Sequence, residues 1–570
     1  MANYIDAEYD KKTDPTKIIV WEQDYDTGEI IEKEYPIKDY LYFYVDAVDE
    51  TKAVPNLTSQ RGTKVQKVKA KDFKSYSKRT EAIEVNEAGL NTYESDISPL
   101  DKALLDNYGK DNQKAPEWNL ALYDIETDIL TEQSFMEMRD SADREITAIS
   151  VWYSSVNKFF ELVLVPETLR EFWDYTPIQR GEFEVFYFDN EAELLETFFA
   201  LNKETNTVAL GAWNGDFFDT GYIFKRAKKH WGEKGAAIRM GRFPKVRKNK
   251  VTIGNNEENL IYPIGMIWYD ALEAYKVNGP ELESFALAVV AEHEGVPSKV
   301  DFEGDFETLY HGSRELRKKF KSLFKTKNRV KELNDAIEIF EPIAKDLYPE
   351  KFKEVQDDET LVETEKETRA NMMVTEQLDE MLQDEEFTNS LGEMKDTYEL
   401  YITYRKLVDT LKLFEDYSMQ DSKILYDLEI KLRKFNTLMM LAQYNVSLFN
   451  DVFGTLKQAE QGITNFAHLN NKVVMDRDYI KSRQPYNKYV DKELLRIREE
   501  HDFKVYPDDP EEIKEMKILS ARDKIAGAHV LLPQIGLISV DDETPELARK
   551  FKSLKAELEE IERELAELED

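Results

Sequence analysis

The 570-residue chain has no cysteine. That excludes disulfides, thiolate metal sites and a cysteine nucleophile, and it fits a reducing compartment. Its six histidines, His230, His293, His311, His468, His501 and His529, are scattered without zinc-like spacing and read as structural or surface residues. No Gly-x-x-x-x-Gly-Lys loop is present to cradle phosphates, so ATP use is not expected. No apolar run approaches the ~18–20 residues that span a bilayer, and the opening residues lack the pattern of a signal peptide. No membrane association and a cytoplasmic location are therefore expected. Positive charge is also scarce: 77 Lys and Arg stand against 114 Asp and Glu, for a formal net charge of -37. Nucleic-acid binders usually present a basic face. The balance weighs against one, leaving only a local basic groove or a basic partner.

What is present is a globular composition. Hydrophobic residues make up 41% and aromatics 12%, enough for large cores in roughly three to four domains. Residues 1–110 read as mostly β. YLYFYVDAV at 40–48 is an apolar, aromatic strand, and the segments Ile18–Glu22 and Ile30–Tyr35 flank a Gly-containing turn as a hairpin would. Residues 92–109 read as a loop and then a helix from Pro99. From 117 to 300 strands and helices alternate: strands Leu120–Tyr123, Ala148–Trp152, Phe159–Val165 and Thr207–Ala212, with helices Glu191–Leu201 and Tyr222–Lys229. That order predicts an α/β layer with a mixed sheet. Residues 241–255 read as a basic hairpin carrying Arg242, Lys245, Arg247, Lys248 and Lys250. Residues 301–400 read as an acidic helical insertion, 400–445 as long amphipathic helices, and 446–540 as mixed structure. At the end, Leu547, Phe551, Leu554, Leu558, Ile561, Leu565 and Leu568 make a heptad seam with Glu-rich flanks. A lone helix of this kind cannot bury its own seam, so it must pack on this chain, a copy of it or another chain.

Three segments carry candidate chemistry. In the first, Asp124 and Glu126 follow a buried strand with one residue between them. On a strand such positions share a face, and two buried anions on one face repel unless a cation neutralises them. In the second, VALGAWNGDFFDTGYIF at 208–224, an apolar strand runs into Asn214, and Phe218–Asp219 follows at a helix start, where Asp219 could also serve simply as a cap. In the third, Tyr417 and Asp421 are four apart on a helix, hence on one face; taken alone they read as a surface pair.

Asp-x-Glu, Asn-x-x-x-Phe-Asp and Tyr-x-x-x-Asp, in that order, resemble the three exonuclease motifs of the DEDDy 3′→5′ exonucleases. More closely, they resemble those of the family B DNA polymerases of T4-like bacteriophages. TYESDISPLDKALLDNYG at 92–109, WYDALEAYK and LESFALAVVAEHEG within 268–295, and AGAHVLLPQIGL at 526–537 resemble flanking segments of that family. The resemblance implies an RNase H-like (DEDDy) α/β exonuclease domain with a mixed sheet, a mostly β N-terminal domain, a helical insertion and a C-terminal heptad helix. The implied boundaries are 1–115 and 446–525 for the N-terminal domain, and 116–300 with 401–445 for the exonuclease. They continue with 301–400 for the insertion, 526–544 for the start of a palm and 545–570 for a coiled-coil-like docking helix.

It further implies two divalent cations, Mg2+ or Mn2+, held by Asp124, Glu126, Asp219 and Asp421, with Tyr417 orienting the attacking water. Clustered carboxylates supply the oxygen ligands that Mg2+ prefers, and a pair of ions roughly 3.5–4 Å apart suits phosphodiester hydrolysis. Asn214, Phe218 and the hairpin cations Arg242, Lys245, Arg247, Lys248 and Lys250 would meet the DNA. The hairpin's bland reading is a solubilising surface element.

The polymerase half of the family is not matched. Neither Asp-x-x-Ser-Leu-Tyr-Pro-Ser nor Tyr-Gly-Asp-Thr-Asp-Ser occurs, although Asp541 falls near the place of the first. The expectation is a proofreading exonuclease component of a split phage replicative polymerase. A second chain would carry palm, fingers and thumb, docked through 545–570, and a sliding clamp would be reached through that chain. An engineered truncation, a free-standing repair exonuclease and a non-catalytic scaffold built on the same fold stand as the alternatives.

Overall fold

The computed structural model describes residues 3–10, 14–70, 90–109, 115–127, 135–253, 256–277, 279–297, 314–358 and 361–476. Residues 477–525, 526–544 and the heptad segment 545–570 lie outside them, as do His311 and His501.

The first strands, β1 (Tyr4–Asp10), β2 (Asp14–Gln23) and β3 (Ile30–Pro36), form an antiparallel sheet. The β2–β3 turn passes through Gly28 at φ +70°, a conformation that favours glycine. β4 (Tyr42–Asp46), β5 (Thr58–Ser59), β6 (Val65–Lys69) and β7 (Thr92–Tyr93) follow, with β4 between β6 and β7. Helix α1 (Pro99–Tyr108) begins where Pro99 predicts, because the Ser98 hydroxyl accepts the Asp101 amide at 3.1 Å.

The centre of the molecule is a seven-stranded mixed sheet. Its elements in chain order are β8 (Leu120–Thr127), α2 (Phe135–Ser141), β9 (Ile146–Tyr153), β10 (Lys158–Leu164), β11 (Ile178–Arg180), β12 (Phe183–Phe188), α3 (Glu191–Glu204), β13 (Ala209–Ala212) and α4 (Asp219–Met240). Then come the hairpin β14 (Val246–Ile253) and β15 (Asn256–Pro263), the strand β16 (Ile267–Asp270) and the helices α5 (Ala271–Lys276) and α6 (Leu287–Glu294). The strand order is β11-β12-β10-β9-β8-β13-β16. The α/β layer with a mixed sheet is therefore present.

Three strands of the central sheet escape the sequence reading. β11 and β12 form a hairpin turned at Gly181 (φ +57°), and the signal was the alternation that buries Phe183, Val185 and Tyr187. Ile267–Asp270, which overlap the start of the WYDALEAYK segment, form β16 and pair in parallel with β13. The helix expected from Tyr222 begins three residues earlier and, after a break at Gly232 (φ +71°), helical structure continues to Met240.

Beyond the sheet lie α7 (Arg314–Ser322), α8 (Arg329–Gln356), α9 (Glu363–Met381) and α10 (Glu385–Leu391), then α11 (Lys395–Leu432), α12 (Lys434–Asn445), α13 (Thr455–Leu469) and the short β17 (Lys472–Val473). β17 pairs in parallel with β5, so this segment of chain returns to the N-terminal strands. The insertion does not read uniformly: its first described helix, α7, is dominated by Arg and Lys rather than by acids.

Alternation along β8 divides the core. Ala121, Tyr123 and Ile125 pack with α3 and α4, through Leu194, Phe198, Tyr222 and Ile223. Leu120 and Leu122 face the other side, in one cluster with Leu411, Phe414, Met419 and Leu425 of α11. The even-numbered positions of β8 thus point at the underside of α11, and Asp124 and Glu126 continue that row.

α11 is held to the far end of the sheet by buried charge. Arg180 donates to Glu415 at 2.7 Å and to Asp416 at 2.6 Å, and Thr368 of α9 donates to Asp416 at 2.6 Å. Glu415 is fully buried and Arg180 nearly so. Truncating one partner of a buried pair strands the other charge. Arg180→Met should cost about 3–5 kcal/mol in urea unfolding, and adding Glu415→Gln and Asp416→Asn should recover most of it. A loss under about 1 kcal/mol would mean that the pair behaves as an exposed one.

Candidate metal centre

Strand β8 carries two carboxylates because its apolar alternation gives way to Asp at 124 and Glu at 126 without ending the strand. Asp124 stands opposite Ser150 and Glu126 opposite Ala148 of β9, so both remain in register in the sheet. Asp421 comes down from α11. One carboxylate oxygen from each of Asp124, Glu126 and Asp421 lies within 4.8 Å of the others, and all three residues are half-buried. Three anions at that separation, partly shielded from water, repel strongly unless a cation stands between them. An all-oxygen donor set of this kind suits a hard divalent ion. Tyr417 leaves α11 one turn before Asp421 and is also half-buried.

Asp219 is the buried neighbour of this group rather than one of the three. It does not cap α4: Phe218 occupies the cap position, and Asp219 is the first helical residue. Burial pushes its carboxyl up to about 7. The amides of Asp219 itself and of Ile125 work against that rise, while the charges of Asp270 and Asp421 add to it. Its carboxylate therefore reaches the β8 backbone between Asp124 and Glu126.

The loop from β13 to α4 is stiffly made. Asn214 sits at φ +63°, unusual for a residue with a side chain, and its carbonyl accepts the amides of Phe217 (3.1 Å) and Phe218 (3.2 Å). The Asp216 amide donates to Asp270 at 3.1 Å, and the Tyr262 hydroxyl donates to Asp216 at 2.7 Å. Asn214 and Phe218 end half-buried at the edge of this loop.

A hairpin forms, but over Val246–Pro263 rather than 241–255, and the cations of the basic run divide into two groups. Arg242 is turned into the protein, donating to the carbonyls of Gly265 and Thr207, both at 2.8 Å. Arg247 pairs with Asp6 (3.2 Å) and Glu8 (3.3 Å) of β1, and Lys245 approaches Glu8 at 3.7 Å. These three tie the hairpin to the rest of the fold, two of them to the N-terminal sheet. Lys248 and Lys250 are exposed on its outer length.

Sequence reasoning missed the polar row behind the acids. Asp124, Ser150 and Glu161 are cross-strand neighbours on β8, β9 and β10. The Ser150 hydroxyl hydrogen-bonds Ser422 of α11. Glu161 is wholly buried, and burial holds its carboxyl well above the usual range, with the charges of Glu415 and Glu126 adding to the rise. Asp216 and Asp270 were missed as well; burial first and Asp270 second raise Asp216 to about 7. The one available signal was alternation: Glu161 falls in phase with Phe159 and Val163, a polar residue at a core position.

Residues 67–284 match the family model for the DNA polymerase family B exonuclease domain. This region is of the family B polymerase exonuclease type. The match takes in Asp124, Glu126, Asn214, Phe218 and Asp219 and stops well before Tyr417 and Asp421, which α11 brings back to the same place. Among similar proteins, the DNA-directed DNA polymerase of Escherichia phage RB69 is 30% identical over 129 residues, 21% of this chain and 14% of that polymerase. The catalytic polypeptide of DNA polymerase epsilon from Kluyveromyces lactis is 32% identical over 108 residues, 18% of this chain and 5% of that polypeptide. The exonuclease region thus aligns with only a small part of either relative.

The buried acids make stability depend on pH. Asp216 and Asp219 have folded values raised to about 7, above an ordinary value of about 3.9. The native state therefore binds protons more tightly than the unfolded chain over that interval. The stability they contribute is fully present below about pH 4 and is lost as the pH rises through about 7. In the absence of divalent metal, the melting temperature should fall from about pH 5.5 to about pH 8, and Asp216→Asn should flatten the slope. A melting temperature that rises over this range would contradict the raised values.

Proposed function

We propose that this chain is a 3′→5′ proofreading exonuclease acting on DNA in a phage replicative polymerase assembly, with the polymerase active site on a second polypeptide. The observation that carries the reading is the meeting of Asp124, Glu126 and Asp421, from segments almost 300 residues apart in the chain, beside Asp219. The exonuclease fold proposed is RNase H-like, of the DEDDy kind, with the insertion placed between its second and third motifs.

In this reading Asp124, Glu126, Asp219 and Asp421 hold two divalent cations. When bound, such ions supply an activated water and offset the charge on the leaving oxygen. The protein's own groups do the rest. The Tyr417 hydroxyl, projecting from the helix that carries Asp421, orients the water. The β13–α4 loop, fixed by Asn214 in its left-handed conformation, presents Asn214 and Phe218 to the terminal nucleotide. Lys248 and Lys250 neutralise phosphates, while Arg242, Lys245 and Arg247 keep the hairpin in place. The polar row Ser150–Ser422 and Glu161 sets the height of α11 over β8, and with it the distance from Asp421 to the strand acids.

The second-chain arrangement rests on the heptad seam, which a lone helix cannot bury by itself. The whole polymerase's partners, including a clamp, belong to that part of the proposal. A pull-down of the polymerase chain should fail once residues 545–570 are removed; undiminished capture would end the docking role.

Hydrolysis of labelled single-stranded DNA in Mg2+ or Mn2+ tests the chemistry. Asp124→Ala with Glu126→Ala should abolish it while leaving the melting temperature in EDTA unchanged or higher, since two repelling anions are removed. Tyr417→Phe should lower kcat by roughly 10²-fold or more with little change in KM. Because Asp219 must give up its proton to bind a cation, Mn2+ affinity measured by calorimetry should strengthen from about pH 6 to about pH 8. Activity that survives the double substitution, or is equal in EDTA, would defeat the reading.

A further inference from the structure

The insertion contains a stretch whose charge runs against the whole chain. Of the eighteen residues 314–331, nine are Lys or Arg and one, Glu315, is acidic, in a protein of net charge -37. The stretch comprises α7, the loop after it and the first residues of α8. Its apolar side is pinned down. Phe320 is buried, Phe324 stacks on Phe172 with ring centroids 5.3 Å apart, and Phe320 meets Phe172 edge-on at 5.5 Å. Phe172 lies on the connection between β10 and β11, so this side is anchored on the central sheet's own connecting chain. The loop has a defined shape as well: the Glu332 carboxylate accepts the amides of Lys325 and Thr326, and Asn328 caps α8 through the Lys331 amide.

The other side is a set of exposed cations. Lys319, Lys325 and Arg329 lie within ion-pair distance of Glu399 (3.6 Å), Asp396 (2.9 Å) and Glu171 (3.7 Å), all at exposed or half-exposed positions where such pairs are weak and exchange readily. Lys318, Lys321, Lys327 and Lys331 are exposed and form no ion pair with any described carboxylate. A solubilising role does not account for them, because a chain at -37 already repels its copies. Clustered like charges held on a rigid base repel one another and attract a polyanion.

The position relative to the metal centre is set by one helix. Glu399 and Asp396 stand in the first turns of α11, and Asp421 follows 22 and 25 residues later on the same helix, which has no internal glycine or proline. At a rise of about 1.5 Å per residue that is roughly 33–38 Å, or about ten phosphate steps of one strand in a duplex.

We propose that the face formed by residues 314–331 is a DNA phosphate-backbone site, gripping the strand about one duplex turn from the 3′ end held at Asp124, Glu126 and Asp421. The inference rests on the reading of DNA as the substrate. It adds a second anchoring point outside the region that matches the exonuclease family. It also explains how a strongly acidic chain can hold a polyanion.

The test is fluorescence anisotropy with the full chain carrying Asp124→Ala and Glu126→Ala, so that DNA survives, using labelled strands of about 30 and about 6 nucleotides. Adding Lys318→Ala, Lys321→Ala, Lys327→Ala and Lys331→Ala should weaken binding of the long strand tenfold or more. It should lower the slope of log affinity against log salt by about 3 and cut the preference for the long strand over the short one by the same tenfold. Arg at the same four positions should restore both. An unchanged slope and long-strand affinity would overturn the proposal, leaving a solvated face or a site for an acidic protein. An equal loss for both lengths would overturn it too, because the effect would then lie at the metal centre. If the parent chain bound neither strand, the exonuclease reading would fall first and this one with it.

Discussion

Anion crowding governs this molecule. Asp124 and Glu126 share one face of a buried strand, Asp421 is lowered onto them by α11, and Asp219 reaches the same strand from the start of α4. Left to themselves these groups push apart, and burial makes Asp219 costly to ionise. The fold bears that cost by surrounding the acids with elements that cannot yield: a central strand, a helix of 38 residues and a loop closed by its own backbone hydrogen bonds. Such crowding is wasteful in an inert surface and useful where a cation must be gripped, which is why the site gives the chain its functional reading.

The same constraint explains what lies behind the site. α11 touches β8 where the acids are, and it must be held at a fixed height along its whole length. Ser150 meets Ser422, Glu161 sits under the helix with its carboxyl raised by burial, and Arg180 binds Glu415 and Asp416. The insertion contributes Thr368 to that last cluster. It therefore braces the helix that carries Asp421 as well as separating two segments of sequence. The basic face of α7 is anchored to the sheet's connecting chain by Phe320 and Phe324, so position and charge are coupled in one element.

The exonuclease match and the three-segment pattern carry different information. The family match ends at residue 284, and the two relatives align over short stretches. The family match does not reach Tyr417 or Asp421. That one carboxylate oxygen of Asp421 comes within 4.8 Å of those of Asp124 and Glu126 follows from the path of α11 across the sheet, independently of sequence similarity.

Several features were decided by the chain alone. Apolar alternation placed β8, β9 and β10. Ser98 and Pro99 started α1. The Asp-x-Glu spacing put two acids on one face, and the four-residue spacing of Tyr417 and Asp421 put them on one side of a helix. These are local properties, set by the period of a strand or a helix and by the hydrogen bonds of a cap. Partners distant in sequence were decided only by the tertiary structure. Arg242 and Arg247, which look like DNA contacts in a basic run, are spent on Gly265, Thr207, Asp6 and Glu8. Asp219, a plausible cap, became a buried acid. Glu161, one charged residue in an apolar strand, became part of the support for the site. A side chain's charge is written in the sequence, but whether it meets water, an opposite charge or another anion depends on which distant segment packs over it, and no local periodicity encodes that.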